Sequence, residues 1–144
     1  MEIVDTVYLI AYFRPSDPLH EDAIMYVENL GDGRVISQAS LIEFDLLMKT
    51  RGIKSEERIK TWLILHRLID ANAIEPVTPL DMVVAAYLVT NYHLDYFDSL
   101  ISAQCIVRKA KPLTTDNEII EVVSRRNQIL LTLRTKYSIL SSLL

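Results

Sequence analysis

The feature that most constrains this chain is a short strand-like run that leads directly into an acid and then into a helical pattern. It occurs near both ends of the sequence: Glu2–Val4 runs into Asp5, and residues 113–115 run into Asp116. Short strands that alternate with helices predict an α/β fold, a three-layer sandwich in which a short parallel central sheet is flanked by helices. The two further predicted strands are Arg34–Ser37 and, more weakly, residues 73–76.

Helical periodicity and capping signals place helices between these strands. The predicted helices span about residues 7–13, 19–30, 38–50, 55–71, 79–91, 95–109 and 117–124. After residue 124 the pattern is ambiguous. We expect a last strand over residues 128–133 followed by an apolar helix over residues 136–144, and the alternative is one long helix.

Composition favours one domain over residues 1–144 that folds without cross-links. Of the 144 residues, 50% are hydrophobic and 24% charged, which is enough to bury a core without a disulfide or a structural metal. Cys105 has no second cysteine to pair with, and the three histidines, at positions 20, 66 and 93, are too scattered for a zinc pair. Disulfide scaffolds, zinc fingers and c-type haem proteins are therefore excluded.

The charge balance and the apolar runs bear on partners and location. The formal charge is −4 with a pI of about 5.3, so any contact with a polyanion must be local. The longest apolar stretch covers residues 82–89, too short for a membrane helix, and the start lacks the basic residues of a signal peptide. The sequence predicts a cytoplasmic protein that makes no use of a membrane.

Four acids stand where a carboxylate site could form. Asp5 and Asp116 follow strands, and right-handed crossovers bring the carboxyl ends of parallel strands to one edge of the sheet. Glu43 lies beside the apolar face of a helix, and Asp98 lies between Phe97 and Leu100. Carboxylates gathered together repel one another unless a cation is present, and oxygen ligands alone favour Mg²⁺ or Mn²⁺. A metal held in this way supports hydrolysis of phosphodiesters.

Each acid also has an ordinary structural explanation. Asp5 and Asp116 can be helix N-caps, worth about 1 kcal/mol each. Asp98 can pair with Asp95 in a capping arrangement, and Glu43 can simply be solvated. Only the joint pattern favours a site.

Other chemistries have weaker support. The sequence has no G-x-G-x-x-G and no G-x-x-x-x-G-K, which excludes the glycine-rich phosphate loops. An aspartyl nucleophile after the first strand would need a second acid at position 7, where Val7 stands. We expect Cys105, within an apolar helix, to be a small buried residue. Arg108 at the end of the same helix is expected to complement the helix dipole.

Four segments resemble the acidic motifs of PIN domains, in the same order and at similar spacing. They are Ile3-Val4-Asp5-Thr6, Ser40-Leu41-Ile42-Glu43, Tyr96-Phe97-Asp98-Ser99-Leu100 and Leu113-Thr114-Thr115-Asp116. The resemblance covers about residues 1–120 and is closest to the small VapC-like ribonucleases, the toxins of prokaryotic toxin–antitoxin pairs.

The resemblance implies a PIN-like fold and a Mg²⁺- or Mn²⁺-dependent endoribonuclease that hydrolyses RNA. It also implies catalytic and metal-binding roles for Asp5, Glu43, Asp98 and Asp116, with Thr6 and Thr114 in support. The implied partners are RNA and an antitoxin protein that docks in an apolar groove between helices. The apolar tail makes a homodimer plausible. The alternative is a non-catalytic PIN-like interaction module in an RNA-processing or regulatory assembly.

Overall fold

A short parallel β-sheet lies at the centre of the molecule in the computed structural model, which describes residues 1–138. Its strands are β1 (Glu2–Val4), β2 (Arg34–Ser37), β3 (Ile74–Glu75) and β4 (Lys111–Leu113). They lie in the order β3-β2-β1-β4, and each neighbouring pair is parallel. The carboxyl ends of β1 and β4 are therefore neighbours at one edge of the sheet.

Eight α-helices surround the sheet within the described residues. They are α1 (Thr6–Tyr12), α2 (His20–Val27), α3 (Gln38–Thr50), α4 (Ser55–Leu68), α5 (Pro79–Tyr92), α6 (Tyr96–Arg108), α7 (Asn117–Ser124) and α8 (Arg126–Tyr137). The start of α5 is well marked in the sequence. Thr78 and Asp81 form its capping box, with Pro79 in the first turn.

Alternating side chains of the strands pack against helices on opposite faces of the sheet. Ile3 of β1 packs with Cys105 and Ala110, at the end of α6. Its neighbour Val4 belongs to a second core formed with residues of α1, α2, α3 and α4. A third group joins α5, α6 and α8. The predicted three-layer α/β fold is confirmed.

The fourth strand begins two residues earlier than the sequence predicted. Residues 113–115 were expected to form it, but Lys111–Leu113 pairs with Glu2–Val4, so that Pro112 lies opposite Ile3. Pro112 has no backbone N–H to donate to a neighbouring strand. An edge strand tolerates it because one side of the strand needs no donor, and β4 is an edge strand.

The predicted strand over residues 128–133 is wrong, because this segment belongs to α8. Ile129, Leu130 and Leu133 are buried while Leu131 is 57% exposed, and this spacing follows one face of a helix rather than the alternation of a strand. Most of the apolar helix expected over residues 136–144 lies outside the described residues.

The length and apolar character of a helix decide whether it could cross a membrane. Among residues 1–138, no helix has both the length and the apolar character to span a bilayer.

A buried ion pair joins α5 to the end of α6. The fully buried Asp81 accepts two hydrogen bonds from the Arg108 guanidinium, at 2.6 and 2.9 Å. Arg108 also donates from Nε to Glu75 at the end of β3. Arg108 was expected mainly to complement the helix dipole, but here it neutralises a carboxylate in the core.

Candidate active site

The first and last predicted site residues lie side by side where β1 and β4 end. Asp5 directly follows β1 and Asp116 lies three residues after β4. Both also cap helices: Asp5 accepts from the backbone N–H of Thr6 at 2.6 Å, and Asp116 accepts from that of Glu118 at 2.8 Å. The capping explanation is thus correct for both acids. A residue that caps a helix can also belong to a shared site, so capping does not exclude one here.

Thr114 connects the two acids directly. Its hydroxyl donates to Oδ2 of Asp5 at 2.6 Å and accepts from the backbone N–H of Asp116 at 3.0 Å. A hydroxyl can do both because it carries one donor and two lone pairs. Thr114 therefore fixes the orientation of the Asp5 carboxylate and the start of the Asp116 turn together.

Helix α3 brings Glu43 to the same edge. Ser40, three residues before Glu43 and on the same helix face, is buried and donates to the carbonyl of Val4 at 3.4 Å. The N-cap of this helix, Ser37, donates to Oε1 of the buried Gln104 at 2.6 Å. These contacts hold α3 against both β1 and α6.

The first turn of helix α6 lies next to these acids. Asp95 caps the helix by accepting from the backbone N–H of Asp98 at 2.9 Å. Burial, followed by the charges of Asp95 and Asp116, raises the pKa of Asp98 to about 8, and Asp5 adds to the effect. Asp98 therefore lies close enough to Asp5 and Asp116 for their charges to raise its pKa.

The pKa values of Asp5 and Glu43 are shifted in the same direction as that of Asp98. Burial is the main cause that raises the pKa of Asp5, which is only 3% exposed; hydrogen bonds from Thr114 and Thr6 oppose it, and the charge of Asp116 adds to it. Burial also raises the pKa of Glu43, and the charges of Asp5 and Asp95 contribute. No Lys, Arg or His of the described residues lowers the pKa of Asp5, Glu43 or Asp98.

Asp95 also belongs with these acids, although the sequence predicted it only as a helix cap. It is a cap, but its charge also acts on Glu43 and Asp98. The signal was present, because acids three residues apart at a helix start share one face of the helix. We call Asp5, Glu43, Asp95, Asp98 and Asp116 the acidic cluster.

The donor atoms of the cluster fit a hard divalent cation. All are oxygens, which Mg²⁺ and Mn²⁺ prefer, and the buried hydroxyl of Thr6 lies beside Asp5 and Glu43. Within residues 1–138, however, no three Asp, Glu, His or Cys side chains are already placed to hold an ion by themselves. Mg²⁺ commonly keeps several waters and is held by one or two carboxylates plus phosphate oxygens. The cluster fits that mode of binding.

Other reactive side chains have structural roles. Cys105 is fully buried, as predicted, and burial is the main cause that raises the pKa of its thiol to about 12. His20 bonds the carbonyl of Ala11 through Nδ1 at 2.7 Å. His66 and His93 are exposed.

Fold and site together define an α/β protein with an acidic site at the carboxyl ends of its central strands. The sequence model of the PIN domain family matches residues 3–124, and the chain belongs to that family. The chain is also similar in structure to FitAcB from Neisseria gonorrhoeae, with a TM-score of 0.66 and 16% identity over 86% of this chain and 94% of that one.

A second solved structure with the same fold is VapC20 of Mycobacterium tuberculosis, described as a sarcin-ricin loop cleaving toxin. Its TM-score is 0.64, with 19% identity over 84% of this chain and 94% of that one. At 16% and 19% identity, the similarity to these two structures shows a shared fold and nothing further. No curated protein sequence matches the chain.

Proposed function

We propose that this chain is an endoribonuclease that depends on Mg²⁺ or Mn²⁺ and is the toxin of a toxin–antitoxin pair. The observation that carries the proposal is the acidic cluster. Its carboxylates are gathered from four separate segments, and no described cation compensates Asp5, Glu43 or Asp98. Buried like charges are costly unless a cation or a proton neutralises them. Membership of the PIN domain family and the likeness to an RNA-cleaving toxin support the same function.

We propose a role for each residue that its position supports. Asp5, Asp98 and Asp116 would hold the cation, and Glu43 would complete the carboxylate set or orient the attacking water. Thr114 orients Asp5 through its 2.6 Å hydrogen bond, and the buried hydroxyl of Thr6 lies beside Glu43 and acts to lower the pKa of Glu43. A bound divalent cation would supply Lewis-acid stabilisation of the phosphate and a lowered pKa for a bound water.

The remaining parts of the proposal concern partners and extent. We propose residues 1–144 as a single domain that acts in the cytoplasm, with RNA as substrate, an antitoxin as partner and a homodimer as the assembled form. The tail residues on which the homodimer prediction rests, Ile139, Leu140, Leu143 and Leu144, lie outside the described residues.

A cleavage assay tests the catalytic role. The wild-type chain should cut a labelled single-stranded RNA in Mg²⁺ or Mn²⁺ and stop when the metal is chelated. Asp5→Asn keeps the side-chain oxygen that caps α1 but removes the charge, so we expect a loss of about 10²-fold or more with the fold retained. Asp32→Asn, at an exposed site without a side-chain hydrogen bond in the described residues, is the matched control. Wild-type cleavage rates in Asp5→Asn would refute the assignment.

A second candidate is a non-catalytic PIN-like interaction module. Two observations favour it: Asp5 and Asp116 both cap helices, and no three ligands within the described residues are preassembled for a metal. A module of this kind would bind no metal in a manner that depends on Asp5 or Asp116.

A further inference from the structure

A groove with a basic rim begins one helical turn beyond the acidic cluster. It has a volume of about 560 Å³ and runs between the second half of α1, the second half of α3 and the start of α4. Ile10 and Leu47 line its near end. They lie four residues after Thr6 and Glu43, which is one turn along the same helices. The groove therefore begins about one helical turn from the candidate site.

Three exposed cations border the groove: Arg14, Arg51 and Lys54. None of them makes an ion pair or a side-chain hydrogen bond with any of residues 1–138, whereas the nearby Arg58 is bound to Asp45 at 2.7 Å. The one carboxylate in the lining, Glu57, faces Lys60 at 3.9 Å. The rim thus keeps an excess of positive charge in a chain whose formal charge is −4.

Helix dipoles account for part of this pattern. Arg14 and Arg51 follow the C-terminal ends of α1 and α3, where a cation is favoured. Lys54 is instead the N-cap residue of α4, at the end of the helix where a cation is disfavoured. The helix dipole therefore does not account for Lys54, whereas an anionic ligand in the groove would be favoured by it.

The floor of the groove is apolar and partly aromatic. The half-buried Phe13 stacks on Phe44 with ring centroids 5.8 Å apart, and Ile53 at the rim is 44% exposed. Grooves that combine cations for the backbone with aromatic surface for the bases are typical of binding to single-stranded nucleic acid. An amphipathic acidic protein segment would meet the same chemistry. Proximity to the proposed site for phosphodiester hydrolysis favours RNA, because a strand that reaches a carboxylate-rich site needs compensating charge nearby.

We infer that this groove binds the single-stranded RNA segment adjoining the cleaved bond, with Arg14, Arg51 and Lys54 contacting its phosphates. The inference rests on the proposed function for its substrate. It adds the path by which the strand leaves the acidic cluster and the residues that hold it.

Binding of a fluorescent 12-nucleotide single-stranded RNA tests the inference without requiring cleavage. Anisotropy is measured at several salt concentrations for Asp116→Asn and for Asp116→Asn carrying Arg14→Gln, Arg51→Gln and Lys54→Gln. The slope of log affinity against log salt should fall by about 2 in magnitude, since each lost contact with single-stranded phosphate contributes about 0.7. Affinity at low salt should fall at least about tenfold. Circular dichroism and thermal melting confirm that each variant is folded.

The control carries the same change in net charge away from the groove: Arg67→Gln, Arg134→Gln and Lys136→Gln in the Asp116→Asn background. We expect less than about a twofold change in affinity and an unaltered slope. Equal losses in the two triple variants would overturn the inference, because binding would then follow net charge alone. Unchanged RNA binding in the groove variant would also overturn it and assign the groove to a protein ligand. Absence of cleavage by the wild type, with the binding pattern as expected, would reject the catalysis and leave the groove assignment standing.

Discussion

The two ends of α6 lie beside acids in opposite electrostatic situations. Near its C-terminus, Arg108 places its guanidinium on the fully buried Asp81 and neutralises it. At its N-terminus, Asp95 and Asp98 face further carboxylates, and burial together with those charges raises the pKa of Asp98 to about 8. The same helix thus joins a compensated charge pair to a group of acids without a described cation.

This difference separates a structural role from a functional one. The charge of a buried carboxylate that is paired with an arginine is already compensated, and removing either partner lowers the stability of the fold. Carboxylates that raise one another's pKa lower the stability of the folded state when they ionise, so a protein retains them where a ligand or a reaction uses them. Variants at the two ends of α6 should therefore differ in both the size and the sign of their effect on stability.

The largest effect is expected at the compensated end. Arg108→Met should lower the free energy of unfolding by about 3–5 kcal/mol, because it leaves the charge of Asp81 buried without a partner. Urea denaturation measures the change. Where the variant remains folded, it should still bind Mn²⁺, since the acidic cluster is intact.

A double variant separates charge from packing at this pair. Arg108→Met with Asp81→Asn keeps an acceptor for the capping hydrogen bond from Thr78 but removes the buried charge, and at least half of the lost stability should return. A loss below about 1 kcal/mol in Arg108→Met alone would show that Asp81 needs no compensation.

A smaller loss is expected when the link between two acids is removed. Thr114→Val deletes the donor to Asp5 and the acceptor for the backbone of Asp116, and should cost about 1–3 kcal/mol. RNA cleavage should fall about 10–100-fold, as is typical when a residue that orients a ligand is lost. Thr115→Val, at the exposed neighbouring position, should change neither property. Full activity in Thr114→Val would mean that Asp5 needs no orientation.

The smallest effect has the opposite sign. The pKa of Asp98 is raised from 3.8 to about 8, so the folded state binds this proton more tightly than the unfolded state does. The stabilisation from proton binding at Asp98 is therefore present at low pH and is lost as pH rises from 3.8 through about 8. Asp98→Asn should raise the melting temperature of the metal-free protein by a few degrees at about pH 8 and by less at about pH 5.

Differential scanning fluorimetry in chelator measures this effect, with Asp32→Asn as the control. A destabilised Asp98→Asn at the higher pH would contradict the view that the acidic cluster is under mutual repulsion.

The sequence predicted most of the fold because its local signals agreed with the tertiary structure. Asp5, Asp95 and Asp116 each cap the helix that the pattern had placed after them. The tail could not be read in this way. Ile129, Leu130 and Leu133 form a short apolar group that suits a strand or a helix equally well, and only packing against the core next to α5 and α6 settles it.

The candidate site was predictable in outline and unpredictable in its contacts. Strand ends and motif spacing predicted that Asp5, Glu43, Asp98 and Asp116 would lie in one site. The second role of Asp95 depends on how α6 is oriented, which the sequence does not specify. The pairing of Arg108 with Asp81 joins residues 27 positions apart, and no local pattern indicates it. Metal-binding and catalytic roles for the four predicted acids stay predictions.

Calorimetric titration of Mn²⁺ into the wild-type chain and into Asp5→Asn tests the central claim most directly. If the acidic cluster is a cation site, the wild type will show saturable binding and Asp5→Asn will bind at least about tenfold more weakly. Wild-type protein that binds no Mn²⁺, or an Asp5→Asn variant that binds it equally well, would contradict that claim.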